Sequence, residues 1–150
     1  MNDAHATLTD MERVLFLRRV SLFGELPPRD LARISAVATE RTFIDGETIA
    51  GQGESGDEMH IVLSGRVRVL RAAPGGDEAE LAVRTEGDVV GEMALITREP
   101  RMASLVADGE ARTLQLGRRE FEGVLRERPD TAIALIRILS HRLAERGATS

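Results

Sequence analysis

The sequence predicts a mainly β domain with flanking helices: an antiparallel β jelly-roll barrel with an N-terminal helical segment and two C-terminal helices. Three observations predict it. Apolar residues recur at helical spacing towards both ends of the chain, over residues 9–40 and 118–146. Between residues 41 and 116 the period falls to two, and roughly eight short β-type runs alternate with turn dipeptides. Strands that short and that evenly spaced suit a jelly roll. No internal repeat and no low-complexity segment interrupts the order helices, strands, helices.

In the first helical segment, Thr9 followed by Glu12 has the spacing of a capping box. Met11, Val14, Leu15, Leu17 and Val20 supply its apolar face, and Ser21-Leu22-Phe23-Gly24 breaks it. Pro27-Pro28 restarts a helix, because proline is tolerated in a first turn, and Leu31, Ile34, Val37 and Ala38 repeat along it. The β region then begins. Phe43-Ile44 leads into Asp45-Gly46, and Thr48-Ile49-Ala50 leads into the loop 51–57. A run over residues 59–63 is expected to end at Ser64-Gly65. Val67, Val69 and Ala72 alternate with arginines, as in a half-buried strand, and Pro74-Gly75-Gly76-Asp77 forms a hairpin tip. Residues 79–83 return, Glu86-Gly87-Asp88 turns into Val89-Val90, and residues 103–107 and 111–116 pair about Asp108-Gly109-Glu110. A short helix over residues 118–126 and a longer one over 130–146, started by Pro129, complete the chain. On the longer helix Ala132, Ile136, Leu139 and Leu143 form one stripe, and Leu135, Ile138 and Arg142 a second. Two stripes fit either two separate contacts or one broad core face.

Composition removes several classes of function. A chain of 150 residues is most simply one domain with enough length to bury a core. We expect a flexible N-terminus over residues 1–10, one domain over 11–146 and a tail over 147–150. Without cysteine there is no disulfide framework and no thiol chemistry. No apolar run could span a bilayer, and the polar start lacks the apolar core of a signal peptide, so a cytoplasmic protein is expected. The net charge of -5 argues against a general nucleic-acid binder.

The stretch from Gly91 to Ser104 carries the chemistry. It holds Gly91-Glu92, the apolar turn Met93-Ala94-Leu95-Ile96, and then Pro100-Arg101-Met102-Ala103-Ser104. Glycine lets backbone approach a ligand closely. A first helical turn offers unpaired N–H groups and a positive dipole end to an anion. Arginine grips a phosphate with a planar fork, and a carboxylate accepts from sugar hydroxyls. A Gly-Glu pair alone means little: Gly24-Glu25, Gly46-Glu47, Gly53-Glu54 and Gly109-Glu110 share it and read as turns. What sets Gly91-Glu92 apart is the apolar turn and the arginine that follow.

This stretch resembles the phosphate-binding cassette of the cyclic nucleotide-binding domain family, which includes the bacterial catabolite activator, the regulatory subunits of protein kinase A and cyclic nucleotide-gated channels. The family pattern, Phe-Gly-Glu-Leu/Met-Ala-Leu and then Arg-x-Ala-Thr/Ser, reads here Val90-Gly91-Glu92-Met93-Ala94-Leu95 and then Arg101-Met102-Ala103-Ser104. The layout of the elements, Phe23, the loop 51–57 and Gly65 are similar too, so the resemblance covers about residues 11–146. It implies that Glu92 accepts from the ribose 2′-hydroxyl, that Arg101 holds the exocyclic phosphate oxygens and that the Gly91 backbone lies near the sugar. It further implies that the N–H groups of Ala94 and Ala103 point at ligand oxygens. Ser104 matches a small hydroxyl position that supports the cassette; a local bond is at least as natural there as ligand contact. In many members the residue after the arginine bears on the base, and a hydroxyl there favours guanine. Met102 has none, which tilts the expectation towards cyclic AMP over cyclic GMP, unless it merely fills space. His60 and Val90 stand where aromatic residues are common, and both are expected to alter packing rather than ligand chemistry. With no tyrosine or tryptophan in the chain, a lid over the base must be aliphatic (Leu139 or Leu143) or a stacked guanidinium (Arg142 or Arg146). For the arginines the competing reading is a solvated helix end.

The expected function is a sensor that binds a cyclic nucleotide without chemistry and relays it through movement of the C-terminal helix to an effector protein. No catalytic set is in sight: His5, His60 and His141 fall one to a region, no metal cluster assembles and no Gly-x-Ser-x-Gly elbow occurs. We therefore expect no enzyme, no metal and no cofactor beyond the nucleotide ligand. Direct DNA binding is not expected, because the sequence ends at Ser150, directly after the long helix. Two alternatives stand beside the sensor: a regulatory domain cut from or acting with a larger effector (a channel, kinase or transcription regulator), and a degenerate domain serving as an interaction scaffold. The apolar last helix permits a homodimer.

Overall fold

A computed structural model describes residues 7–92 and 97–149, with the side chains of residues 142, 143 and 146–149 left undescribed. The chain forms two compact units, one of Ala38–Arg118 and one of the segments before and after it.

In the helical unit, α1 (Asp10–Arg18) starts at the expected capping box: the Glu12 N–H donates to Thr9 Oγ1 at 3.1 Å and the Thr9 N–H to Glu12 Oε1 at 2.8 Å. Its inward face differs from expectation. Leu17 and Val20 are buried, but so is Phe16, while Met11 and Leu15 are exposed. The face turned because α1 stops at Arg18 and residues 19–26 coil tightly, with Arg19, Val20, Phe23 and Leu26 each donating to the carbonyl three residues back. That coil buries Leu22, Phe23 and Leu26. On α2 (Pro28–Val37), Leu31 and Ile34 are buried as expected, beside Asp30. Asp30 accepts from Arg128 Nε at 2.7 Å, a buried ion pair between α2 and the link from α3 (Arg118–Glu127) to α4 (Pro129–Thr149). Of the two α4 stripes, Leu135 and Ile138 are buried, Ala132 and Leu139 half-buried and Ile136 exposed.

The β unit is a single antiparallel sheet of six strands: β1 (Thr39–Phe43), β2 (Thr48–Ala50), β3 (Glu58–Ala72), β4 (Glu78–Arg84), β5 (Val89–Val90) and β6 (Ser104–Gly117). Its path runs β1-β6-β3-β4, with β2 added on β6 and β5 on β3. The sheet does not close on itself, and the jelly-roll class stands. The eight expected runs condense to six strands because Ser64-Gly65 and Asp108-Gly109-Glu110 do not end strands. β3 and β6 pass through these points with register shifts at Val62/Ser64 and Ser64/Arg66. The bulge needs Gly65: at φ +83°, an added Cβ would lie 2.2 Å from the Glu110 carbonyl oxygen. Bulges of this kind bend long strands, which is how two strands do the work of four. Phe43, Ala50, Val62, Val67, Val90, Leu105, Ala107 and Ala111 form the core of this unit.

Candidate functional site

Arg101 lies between β5 and β6, just after the bridge from Ser55 to Pro100. The loop 51–57 grips its backbone twice: the Arg101 N–H donates to Glu54 O at 2.9 Å, and Arg101 O accepts from the Gly53 N–H at 2.8 Å. The guanidinium is buried, and its Nη2 donates to the Glu58 carbonyl at 2.7 Å and to Glu58 Oε1 at 3.3 Å. Gly91 makes the seat. At φ +82°, a Cβ there would come within 2.6 Å of Arg101 Nη1, so both the backbone conformation and the space demand glycine. The expected role of Gly91 was closeness to a sugar; what the structure displays is closeness to the arginine.

Glu58 is the residue that sequence reasoning missed, and it stands beside His60, which the sequence assigned to packing. Both lie on β3. His60 is fully buried, its Nδ1 is 2.9 Å from Thr113 Oγ1, and its ring meets the Phe43 ring edge-on at 6.0 Å. Its Nε2 is 3.9 Å from Glu58 Oε1, beyond hydrogen-bond length, and has no hydrogen-bond partner among the described residues. The imidazole of His60, and then the positive charges of Arg101 and Arg41, hold the Glu58 carboxyl below its ordinary value, against partial burial that pushes it up. The approach of His60 is electrostatic, given that distance. His60 packs as expected, against Phe43 and Thr113, and it also lies beside the carboxylate that holds Arg101. One signal was available in the sequence: alternation along β3 sends Glu58 and His60 to the same face.

The other expected site residues fall in three groups. Glu92 is half-buried and helical, and Met102 is exposed. Ala103 is half-buried, and Ser104 Oγ accepts from the Gln52 N–H at 2.9 Å, a bond to a residue 52 positions away in place of the local one that the sequence left open. Gln52 in turn holds Ala72, accepting from its N–H at 2.8 Å and donating to its carbonyl at 3.2 Å. It also borders an open cleft of about 680 Å³, lined by Arg71, Ala72, Pro74, Ala79 and Leu81 among others. Met93 and Ala94 lie outside the described residues, as do the side chains of Arg142, Leu143 and Arg146. Leu139 is half-buried on α4, in the helical unit.

Of the four Gly-Glu pairs read as turns, Gly24-Glu25 and Gly46-Glu47 are in turns, Gly46 donating to Ala107 O at 2.8 Å, whereas Gly109-Glu110 lies within β6, with the Gly109 N–H donating to Asp45 Oδ1 at 2.7 Å. Gly53-Glu54 is a turn as well, with Gly53 at φ +85°, but its backbone also clamps Arg101.

The arrangement presents a buried, backbone-clamped guanidinium held by the carbonyl and the carboxylate of Glu58. The family model of the cyclic nucleotide-binding domain matches residues 40–128. The chain belongs to the cyclic nucleotide-binding domain family. It is 30% identical over 127 residues to a CRP-like cAMP-activated global transcriptional regulator of Mycobacterium tuberculosis, covering 85% of this chain and 57% of that one. It is 34% identical over 124 residues to the cyclic AMP receptor protein of Thermus thermophilus, covering 83% and 57%. The chain thus spans well under two thirds of either relative. The crystal structure of the N-terminal domain of a transcriptional regulator from Streptomyces coelicolor superposes with a TM-score of 0.82 at 34% identity, over 89% of this chain and 94% of that one. No described helix is long and apolar enough to cross a membrane.

Proposed function

We propose that this chain is a sensor domain that binds cyclic AMP in preference to cyclic GMP and performs no chemistry on it. The observation that carries the reading is the seating of Arg101: a buried cation, fixed through backbone and side chain, against the glycine that precedes Glu92. A buried guanidinium is costly unless anions or hydrogen bonds surround it, so it is kept where a charge must be met. In this reading Arg101 takes the phosphate and Glu92 the ribose hydroxyl, while the backbone of Gly91, Met93, Ala94 and Ala103 lines the site. Ser104 braces the cassette through Gln52. Met102, exposed and without a hydroxyl, leaves guanine one bond short. The relatives that the chain matches carry cyclic AMP in their names, which supports the same ligand.

Residues 11–146 then act as one cytoplasmic sensor. Binding shifts a two-state equilibrium, and the change leaves through movement of α4 to an effector protein or a second copy, with couplings of about 1–3 kcal/mol typical of such devices. Titration calorimetry with cyclic AMP and cyclic GMP tests the ligand. Binding of neither below millimolar concentration contradicts the sensor, and equal binding of both contradicts the specificity drawn from Met102. Amide exchange over α4 with and without nucleotide tests the relay, and unchanged protection contradicts it.

A further inference from the structure

Arg101 faces two rival claims within this site. Its Nη2 is held by the carbonyl and the carboxylate of Glu58, at 2.7 Å and 3.3 Å. A phosphate that takes the same fork brings a second negative charge up to that carboxylate. Like charges so close are unfavourable unless one of them is given another partner. A second donor for Glu58 is already built in. His60 Nε2 lies 3.9 Å from the same Oε1, is buried, and has no partner among the described residues. Thr113 Oγ1, 2.9 Å from Nδ1, can donate its hydroxyl proton there, which leaves the ring proton on Nε2. The opposite tautomer would aim a lone pair at a carboxylate, so the environment favours Nε2–H. Closing the remaining gap requires about 1 Å of movement by a glutamate side chain that is 29% exposed. Arg41, whose charge also reaches Glu58, donates to Gln115 Oε1 at 3.0 Å and lies over the Phe43 ring.

We propose that Glu58 and His60 form an exchange latch on the phosphate-binding arginine: Glu58 restrains Arg101 until a phosphate claims it, and then transfers its hydrogen bond to His60 Nε2. Glu58 is thus a positioning residue that sets the threshold for ligand, and His60 is the group that makes release of the arginine affordable. The inference rests on Arg101 binding the phosphate, as in the function proposed above.

The test is a double-mutant cycle read by calorimetric titration of cyclic AMP into the full chain. Glu58→Gln keeps the shape and removes the competing charge, so affinity rises about three- to tenfold. His60→Phe leaves the carboxylate with nowhere to go, so affinity falls by a similar factor of about three to ten. In the Glu58→Gln background, His60→Phe has no further effect, an outcome that a merely structural role for His60 does not give. Unchanged or weakened binding by Glu58→Gln overturns the latch, and so does an undiminished His60→Phe effect in the double variant. If His60→Phe fails to fold, the half-exposed Glu58→Gln decides alone. Arg101→Ala run alongside separates the two claims. If wild type binds and Arg101→Ala does not, while Glu58→Gln matches wild type, the latch alone falls. If Arg101→Ala binds as wild type does, or wild type does not bind, the site assignment and the latch fall together.

Discussion

The two compact units each contain a buried arginine-carboxylate pair, and the pairs are built to different standards. In the helical unit, Arg128 Nε meets Asp30 Oδ1 at 2.7 Å, with the Asp30 side chain only 3% exposed. In the β unit, Arg101 meets Glu58 Oε1 at 3.3 Å, with the Glu58 side chain 29% exposed and a histidine waiting beside it. The first pair is short, with its carboxylate sealed and its guanidinium 21% exposed. The second is long, partly hydrated and shared. Removing one partner of a sealed pair strands a buried charge, whereas a loose pair yields its cation to a better anion. The difference separates an ion pair that holds a fold from one that, in the function proposed, serves a site.

The comparison breaks most visibly at Asp30. Asp30→Ala leaves the partly exposed Arg128 guanidinium without its carboxylate and should cost about 1.5–3 kcal/mol of stability in thermal or denaturant unfolding. A loss under about 1 kcal/mol would place this pair with the loose ones. Arg101→Ala should show the reverse profile. The unfolding midpoint moves far less than for Asp30→Ala, while cyclic AMP affinity falls about a hundredfold or more, the worth of one or two charge-assisted hydrogen bonds. Gly91→Ala sits between them. It strains a left-handed backbone and pushes a methyl against Arg101 Nη1, so we expect a loss of about 1–2 kcal/mol in stability together with weakened nucleotide binding. A variant that binds normally would mean that the seat of Arg101 can shift without consequence.

The smallest effect concerns acid. The Glu58 carboxyl titrates below its ordinary value of 4.5 in the folded protein, so the folded state holds fewer protons there than the unfolded chain does. Its contribution to stability is complete above that ordinary value and is lost as pH falls through the depressed folded value. Glu58→Gln should therefore lower stability at neutral pH, where the wild-type contribution is complete, and flatten the acid limb below about pH 4.5, where the wild type loses it. An acid limb of unchanged shape would show that His60 and Arg101 do not act on this carboxyl.

Much of the fold was legible because it rests on periodicity. The capping box Thr9/Glu12, the restart at Pro28, the stripe Leu31/Ile34 and the helix beginning at Pro129 depend on local chemistry and stand where the sequence puts them. Turn signals misled where a glycine serves a bulge instead. Gly65 and Gly109 look like strand ends, yet β3 and β6 run on through them, since the partner that makes Gly65 obligatory, Glu110, is 45 positions away in sequence. On α1, helical spacing chose Met11 and Leu15 over Phe16, because the coil at 19–26 that redirects the inward face has no periodic signature. In the site, Arg101 and Gly91 were visible as a motif. Glu58 was not, because a carboxylate on a strand looks like any solvated charge until the fold sets it against a buried arginine. Gly53-Glu54 hid in the same way, since its contribution to Arg101 is made by backbone atoms that carry no residue identity.

The central claim is that Arg101 is the phosphate-binding cation of a cyclic AMP site, and calorimetric titration of cyclic AMP into wild type and Arg101→Ala tests it most directly. The account predicts saturable binding to wild type well below millimolar concentration and a loss of about a hundredfold or more in the folded variant. Equal affinity and equal heat in the two proteins would contradict it.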